Sequence, residues 1–318
     1  MRLSTAATVQ FTTNCGAKCN SLVMKIFLCS LVALFLISGT QTWKLGPLND
    51  DSMSYDSLSG FESSEEIDIS SHETSEPGDE PVGVYCSLPC GKEHVGCKDN
   101  KLQAESNCPD SSVEDLSEYR DLIVDFHNNI RNKVAGGHIG NLKPATRMGT
   151  MIWDDELQET AEMQAKLCIS GPLGCHGTNE FKYSGQNSGR YTYSGDLQRF
   201  NMYQIIYSQL EHWQNSSSIV TPNIIKRFYP KKWGAAKEND IGVFTMIVRE
   251  ENTHIGCALK RYEILHGAIK VIFICNYATN NFVNSPVYKT GDAASECKTG
   301  PNPLFENLCS LNEKYYYP

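Results

Sequence analysis

The stretch Ile274-Cys275-Asn276-Tyr277-Ala278-Thr279-Asn280-Asn281-Phe282 includes the end of the second of two strand-like runs near the C-terminus. Residues 255–262 and 269–277 are rich in β-branched and aromatic side chains, which favour strands. The segment 263–268 between them contains Gly267, as expected for a hairpin loop. In such a hairpin Cys257 and Cys275 can face each other across the two strands. The C-terminal part of the chain is therefore predicted to form a β-hairpin.

Helices are predicted before the hairpin. Over residues 116–134 apolar side chains recur every three or four positions, the period of an amphipathic helix. Ser111-x-x-Glu114 has the form of a capping box ahead of this helix, and Gly136-Gly137 is expected to end it. A second helix is predicted from about Asp154 to Cys168. The inward-facing residues of these two helices are Leu116, Tyr119, Ile123, Phe126, Ile130 and Val134, then Trp153, Leu157, Ala161, Ala165 and Cys168.

Three later segments complete the prediction of secondary structure. Thr221-Pro222 predicts a short helix, since threonine caps helices and proline suits their first position. Residues 241–248 are ambiguous, because their Ile, Val, Phe and Thr content favours a strand while their length also suits a short buried helix. A third long helix is expected after Gly195, capped by Asp196, with Phe200, Tyr203, Tyr207, Leu210 and Trp213 or Gln214 facing inward.

The first 39 residues are predicted to be a leader. Arg2, Lys18 and Lys25 precede the apolar run 26–37, and small residues follow it, which is the order of a secretory signal with its core at residues 24–39. The apolar run would span only ~18 Å as a helix, less than the ~30 Å of a bilayer core. The pattern thus favours a cleaved signal, with secretion and no membrane span in the mature chain, over an uncleaved anchor, and residues 1–23 lie upstream of a compact signal.

The cysteines agree with secretion. Thirteen are present, an odd number, but three of them lie in the leader. An even number remains in the mature chain, as expected where disulfides form. The ten are Cys86, Cys90, Cys97, Cys108, Cys168, Cys175, Cys257, Cys275, Cys297 and Cys309.

Charge is distributed unevenly along the chain, whose formal net charge is −9. Residues 40–85 hold eleven acidic side chains against Lys44 alone and few aromatics, which predicts a disordered, acidic, Ser-rich arm. The remainder is nearly neutral and has no stripe of Lys and Arg, which argues against nucleic acid as a partner.

Several motifs together carry a resemblance to a known family. Residues 274–282 resemble the Cys-Asn-Tyr signature of the CAP superfamily of cysteine-rich secretory, antigen 5 and pathogenesis-related proteins, with Asn280 where the family has glycine. The head Tyr85-Cys86-x3-Cys90-x3-His94-x2-Cys97-x10-Cys108 is similar to that of the insect antigen 5-related, venom allergen-like group. Cys168-x6-Cys175, Gly185-Gln186-Asn187 and Ile255-Gly256-Cys257 extend the likeness over roughly residues 85–290.

The resemblance implies an α+β fold, a three-layer α-β-α sandwich. The cysteine-rich head would occupy residues 86–110, the CAP (SCP) domain 111–290 and a C-terminal extension 291–318. It also implies a helix, not a strand, around Gly242-Val243-Phe244-Thr245. The implied bridges are Cys86–Cys97, Cys90–Cys175, Cys108–Cys168 and Cys257–Cys275, and Cys297–Cys309 would pair by exclusion.

Many CAP domains hold two histidines and two acidic residues in a cleft that can bind zinc or move protons. By resemblance the first histidine is His176, and Gln186 and Ser216 stand at the two acidic positions. Val243 stands where the family has its second histidine. One imidazole, an amide, a hydroxyl and an isopropyl group do not make a zinc site or a general base pair. The sequence therefore predicts a degenerate cleft, with no metal, no cofactor and no enzymatic activity.

Other reactive groups have ordinary interpretations. His94 and His127 are possible metal ligands, but one lies in the cysteine head and the other beside an apolar stripe, which favours hydrogen bonding within the fold. Cys168 and Cys175 have implied disulfide partners, which argues against thiol catalysis. Asn215-Ser216-Ser217 is the one acceptor sequon for N-glycosylation, so a glycan is predicted at Asn215.

Three functions remain open at this point. The first is a non-enzymatic extracellular protein that binds a partner protein or a small apolar ligand. The second is an extracellular hydrolase or peptidase with a rearranged cleft around His176. The third is a stable scaffold that makes protein contacts through the acidic arm at residues 40–85. Recovery of a bound lipid would support the first function, and a loss of activity in His176→Ala would support the second. A partner protein that is lost when the arm is deleted would support the third.

Overall fold

The structure is a computed structural model that describes residues 84–110, 112–171, 173–194, 201–230, 241–264 and 267–317. The leader, nearly all of the acidic arm, Asp196 and Phe200 lie outside the described residues. The helices are α1 (Arg120–Ala135), α2 (Asp155–Lys166), α3 (Met202–Asn215), α4 (Pro222–Lys226) and α5 (Ile241–Ile247). The strands are β1 (Ile152–Trp153), β2 (Gly185–Ser194), β3 (His254–Ile264) and β4 (Ala268–Tyr277).

The predicted hairpin is the centre of a four-stranded sheet. The strand order is β1-β3-β4-β2, with β3 and β2 antiparallel to β4 and β1 parallel to β3. Cys257 lies directly opposite Cys275, as expected from the sequence. The strands extend to Ile264 and Ala268, so the connection is shorter than the predicted loop of 263–268. Strand β2 carries the Gly-Gln-Asn motif and was not predicted as a strand.

Alternation along the strands divides the core between two helical layers. Leu259 and Phe273 belong to the large cluster that includes apolar residues of α1, α3 and α5. Ala258, Ile272 and Ile274 belong to a smaller cluster with alanines of α2. Because successive side chains point to opposite faces of a sheet, this pattern places helices on both sides. The predicted three-layer α-β-α sandwich is thereby confirmed.

The start of α1 differs from the prediction. A short 3-10 turn precedes the helix, which begins at Arg120 without a side-chain cap, so Glu114 is not in its first turn; Ser111, the other residue of the expected capping box, lies outside the described residues. Instead the Glu114 backbone N–H donates to Leu259 O at 2.8 Å, and its carboxylate accepts a hydrogen bond from Arg261 Nε at 2.6 Å. These contacts attach the residues before α1 to strand β3.

Helix α3 also begins later than expected. Asn201 caps it, because the Asn201 side chain accepts a hydrogen bond from Tyr203 N at 2.8 Å. Trp213 is buried as predicted and stacks on Phe273 with ring centroids 5.3 Å apart. The inward position expected for Tyr203 is wrong, since this side chain is 47% exposed on the helix surface.

The remaining helices follow the sequence signals. Asp154 caps α2 by accepting from Leu157 N at 2.7 Å, and Thr221 caps α4. Residues 241–247 are helical, so the strand interpretation of this segment is wrong and the resemblance is correct there. Its β-rich composition reflects burial, since Phe244 and Ile247 are fully enclosed between the sheet and the neighbouring helices.

The C-terminal extension packs on the domain. The Cys309 backbone N–H donates to Met148 O at 2.8 Å, and Thr150 Oγ1 donates to Cys309 O at 2.6 Å. Glu313 has a buried carboxylate that accepts from Arg147 Nε at 2.6 Å. Further along, the Tyr317 hydroxyl donates to Glu251 O at 3.1 Å. Within the described ranges, no helix is long and apolar enough to cross a membrane.

Candidate functional site

The cysteine head is attached to the domain beside the expected cleft histidine. The structure joins Cys86 to Cys97, Cys90 to Cys175, Cys108 to Cys168, Cys257 to Cys275 and Cys297 to Cys309, the same pairs that the resemblance and the count implied. The bridge from Cys90 to Cys175 places the head next to His176. The Val95 backbone N–H donates to Cys175 O at 2.9 Å and reinforces this link.

His94 lies in this junction and uses both ring nitrogens within the fold. Its Nε2 is 2.7 Å from Gly177 O, and its Nδ1 accepts from Gly96 N at 3.0 Å, so Nε2 carries the proton and donates. The ring stacks on Tyr85 with centroids 4.9 Å apart. Burial lowers the pKa of His94, although the bond to Gly177 opposes the shift. The imidazole is therefore a neutral structural group, as the hydrogen-bonding interpretation expected.

His176 is almost completely buried. Its Nδ1 lies 2.7 Å from the hydroxyl of Ser184, a residue that sequence reasoning did not single out. Burial, with a smaller effect of the neighbouring His94 in the same direction, lowers the pKa of His176 to about 4. The imidazole is thus neutral at physiological pH, and its described side-chain partner is a serine rather than a carboxylate.

Gln186 forms a network of amide groups on the α2 side of the sheet. Its Nε2 donates to Gln164 Oε1 and to Asn276 Oδ1, both at 2.8 Å, and Asn276 donates in turn to Thr160 Oγ1 at 2.9 Å. Neutral amides satisfy one another here without a charge. An acidic residue at position 186 would bring a charge into this network, so glutamine is compatible with a purely structural role.

Ser216 and Val243 belong to the opposite layer. Ser216 follows the last residue of α3, and Val243 lies in α5 and packs against the large core cluster. The Val243 carbonyl accepts from Asn187 Nδ2 at 2.9 Å. Since Gln186 and Asn187 are adjacent in β2, their side chains point to opposite faces of the sheet. The described contacts thus tie Gln186 to one layer and Val243 to the other, which also contains Ser216.

A second polar chain crosses the core near Val243. His127 Nδ1 donates to Ile123 O at 2.7 Å, so Nε2 accepts the Tyr277 hydroxyl proton at 3.0 Å. The Tyr277 oxygen in turn accepts from Asn187 Nδ2 at 3.2 Å. Burial lowers the pKa of His127 to about 4, with a smaller effect of Arg131 in the same direction, and burial raises the pKa of Tyr277 far above its usual range. The chain is neutral throughout and fixes one arrangement of protons.

Three of the four cleft positions therefore take part in separate structural hydrogen bonds: His176 with Ser184, Gln186 with Gln164 and Asn276, and the Val243 carbonyl with Asn187. In the part of the chain that the structure describes, no group of three or more His, Cys, Asp or Glu side chains is placed to hold a metal ion. Ser184 and the His127–Tyr277–Asn187 chain are the polar groups that the sequence patterns missed. The chain from His127 to Asn187 joins residues distant in sequence, and the Ser184–His176 contact joins residues eight positions apart without a recognised motif, so spacing gives no signal for either.

Comparison with known proteins agrees with this architecture. Residues 124–277 match the cysteine-rich secretory protein family, CAP. Venom allergen-1 of Aedes aegypti is 33% identical over 235 residues, 72% of this chain and 88% of the relative. Venom allergen-1 of Aedes albopictus is 31% identical over 198 residues, 62% of this chain and 75% of the relative. Tabinhibitin 2 of Tabanus yao is 27% identical over 232 residues, 72% and 87% of the two chains.

The chain belongs to the CAP family and is a venom allergen-like, antigen 5-like member of it. The matched region contains most of α1, all of α2, α3, α4 and α5 and the whole sheet, so it includes all four positions of the family cleft. The relatives are named as venom allergens and an inhibitor, and none of the three names denotes an enzyme.

Proposed function

We propose that this chain is a secreted, non-enzymatic CAP protein that acts by binding an extracellular partner. The observation that supports this best is an aromatic face formed by Phe126 of α1 with Tyr203 and Tyr207 of α3. Phe126 packs edge-on against Tyr207 at 5.5 Å, and Tyr203 stacks on Tyr207 at 5.8 Å. Tyrosine supplies a large contact area at small entropic cost, which is why it is enriched in protein interfaces.

A protein is the partner that this surface favours. The aromatic face lies on the outside of two packed helices, and its tyrosine hydroxyls can hydrogen bond at the rim of an interface. The name of Tabinhibitin 2 denotes an inhibitor, a function that is commonly exerted through protein contacts. A small apolar ligand held against the same aromatic rings is the other form of this proposal, and its test is separate.

The state of the cleft residues supports a function other than catalysis. The imidazoles of His94, His127 and His176 are kept neutral by burial, and all three are hydrogen bonded within the fold. A general base must reach a substrate proton, and a buried ring engaged by the protein does not. Gln186 and Val243 add no ionisable group.

The aromatic face is tested by Tyr203→Ser, with Tyr229→Ser as the control because Tyr229 is an exposed tyrosine outside the face. Immobilised mature protein is exposed to extracellular fluid of the source organism, and retained proteins are quantified by mass spectrometry. We expect Tyr203→Ser to weaken retention about tenfold, the loss typical of an interface tyrosine. Tyr229→Ser should retain the same proteins as the wild type.

The small-ligand form has its own readout. Organic extracts of the natively purified wild type and of Tyr203→Ser are compared for lipid by mass spectrometry. Stoichiometric lipid that is lost in the variant would support the apolar-ligand form against the protein-partner form. If neither protein nor lipid depends on Tyr203, the aromatic face has no binding function and the proposal is wrong.

One observation favours a second candidate, an extracellular hydrolase. The Ser184 hydroxyl lies 2.7 Å from His176 Nδ1, the distance expected for a nucleophile and its base. Both side chains are buried, and the low pKa of the imidazole makes it a poor base. We expect any activity on a peptide and ester panel to be unchanged in Ser184→Ala and His176→Ala. A loss of about a hundredfold in both variants would establish the hydrolase instead.

Secretion and glycosylation are part of the same proposal. Asn215 is exposed at the end of α3, where an oligosaccharide has room, and Ser217 completes its sequon. We expect the secreted protein to lack the leader, to have five disulfides and to lose mass on treatment with N-glycosidase. Asn215→Gln should abolish that loss, whereas Asn223→Gln, an exposed asparagine outside a sequon, should leave it unchanged. Intact mass before and after reduction measures all three.

A further inference from the structure

One of the five disulfides lies against a buried lysine. Lys260 in β3 is 1% exposed, and its ammonium group donates to Pro109 O at 2.9 Å and to Lys166 O at 3.2 Å. The same nitrogen is 3.6 Å from Cys108 Sγ. Lys166 is the last residue of α2, so its carbonyl is at the negative end of the helix dipole. The fold thus holds a positive charge in contact with one sulfur of the Cys108–Cys168 bridge.

The other sulfur of this bridge belongs to a strained residue. Cys168 follows the end of α2 with a φ of 57°, in the left-handed region that non-glycine residues rarely adopt. It is completely buried, whereas Cys108 is partly exposed to solvent. A small thiol can therefore approach the bridge from the Cys108 side, and opening the bridge releases Cys168 from one of its constraints.

We propose that Cys108 is a site of reversible thiol–disulfide exchange with small thiols, and that Lys260 makes Cys108–Cys168 the most readily reduced bridge of the domain. A thiolate attacks Cys108 Sγ, the bond to Cys168 breaks, and the Cys168 thiolate takes a proton from water. The product is a mixed disulfide between Cys108 and the small molecule.

A second thiol then attacks the sulfur of the small molecule and expels Cys108 as a thiolate beside the Lys260 ammonium. Overall, two thiols give two electrons to the bridge and leave as one small disulfide. A neighbouring cation stabilises a thiolate, and a stabilised thiolate is a better leaving group. Burial lowers the pKa of Lys260, and the Asp110 carboxylate opposes that shift by favouring the ammonium form.

The exchange is measured on the secreted full chain in glutathione buffers of graded composition at pH 7.5. Free and bridged cysteines are labelled with two different alkylating reagents and quantified by peptide mass spectrometry. Cys297–Cys309 is the internal comparison, because Cys297 is also partly exposed and no ammonium contact is described at its sulfur. We expect Cys108–Cys168 to open at a lower glutathione concentration than Cys297–Cys309, through a detectable glutathione adduct at Cys108.

Lys260→Met is expected to shift the reduction midpoint of Cys108–Cys168 about tenfold towards more reducing buffer, since it removes the charge that stabilises the thiolate. Lys270→Met is the matched control, because Lys270 lies on the neighbouring strand and pairs with Glu105 at 3.0 Å. In the wild type, reduced Cys108 should also react with iodoacetamide faster than Cys297, a readout that does not need a folded Lys260 variant. The proposal is wrong if Cys108–Cys168 opens together with or after Cys297–Cys309, or if Cys108 reacts no faster.

Discussion

Replacing Arg131 by methionine is expected to lower the free energy of unfolding by about 3–5 kcal/mol, the effect of breaking a buried charged network. The Arg131 guanidinium is completely buried and donates to four backbone carbonyls. Its Nε and Nη2 bind Gly149 O at 3.0 and 2.5 Å, and its Nη1 binds Ile247 O and Arg249 O, both at 2.7 Å. A further bond reaches Glu250 O at 3.2 Å.

Some of the carbonyls that accept from Arg131 depend on it for their hydrogen bonds. Ile247 ends α5, so its carbonyl has no partner in the next helical turn and carries part of the helix dipole. Burial lowers the pKa of Arg131 to about 10, which still leaves the guanidinium charged at neutral pH. Methionine fills similar space but leaves the acceptors unsatisfied, and that desolvation cost is the reason for the large effect.

Urea denaturation of Arg131→Met, Arg131→Lys and Arg227→Met provides the measurement. Lysine keeps the charge but lacks the planar fork, so an intermediate loss is expected. Arg227 is exposed and binds Asn284 at the surface, and its replacement should change the unfolding free energy by less than about 1 kcal/mol. A loss for Arg131→Met as small as that for Arg227→Met would contradict the structural role of the buried guanidinium.

Acidification from pH 7 to pH 4.5 is expected to lower the free energy of unfolding by about 5 kcal/mol through His127 and His176 alone. Burial holds the pKa of both imidazoles at about 4 in the folded protein. In the unfolded chain both histidines have the ordinary pKa of about 6.5, so they take up protons as soon as the pH falls below that value. Their stabilisation is therefore complete above pH ~6.5 and is lost as the pH falls towards 4.

Denaturant unfolding at pH 7, 5.5 and 4.5 measures this dependence. His176→Asn should remove about half of the loss, because only His127 then takes up a proton on unfolding in this range. His138→Asn is the control for histidine replacement as such, since His138 is exposed. An unfolding free energy that stays constant from pH 7 to pH 4.5 would show that the two rings are not kept neutral by the fold.

The sequence predicted the parts of the fold that depend on local pattern. The hairpin of β3 and β4, the buried Trp213 and the caps of α2 and α4 all have signals within a few residues. Local reasoning failed where a tertiary contact prevailed. Glu114 fits a capping box but binds Arg261 beside strand β3, and residues 241–247 have an apolar, strand-like composition because Phe244, Thr245, Met246 and Ile247 are buried. In both cases a long-range partner outweighed a propensity of less than about 1 kcal/mol per residue.

For the candidate site, the sequence predicted only which residue stands at each of the four positions. Position-by-position resemblance named His176, Gln186, Ser216 and Val243, but it could not give their partners. The chain from His127 to Asn187 depends on how separate segments meet in three dimensions, and the Ser184–His176 contact depends on the path of the irregular segment between them. Amide and hydroxyl groups have no periodic or spacing signature, so a neutral network of this kind is visible only when the distances are known.

The C-terminal extension bears on how the protein can be shortened. The family match ends at Tyr277, but contacts beyond it hold the domain together. The Cys309 backbone N–H donates to Met148 O, and the Glu313 carboxylate pairs with Arg147, 166 positions earlier in the chain. A gene fragment cut at the edge of the match would therefore leave the Met148 carbonyl and the Thr150 hydroxyl without their Cys309 partners, and the Arg147 guanidinium without its carboxylate. Recombinant versions for binding studies need the native tail, with any affinity handle placed at the opposite terminus.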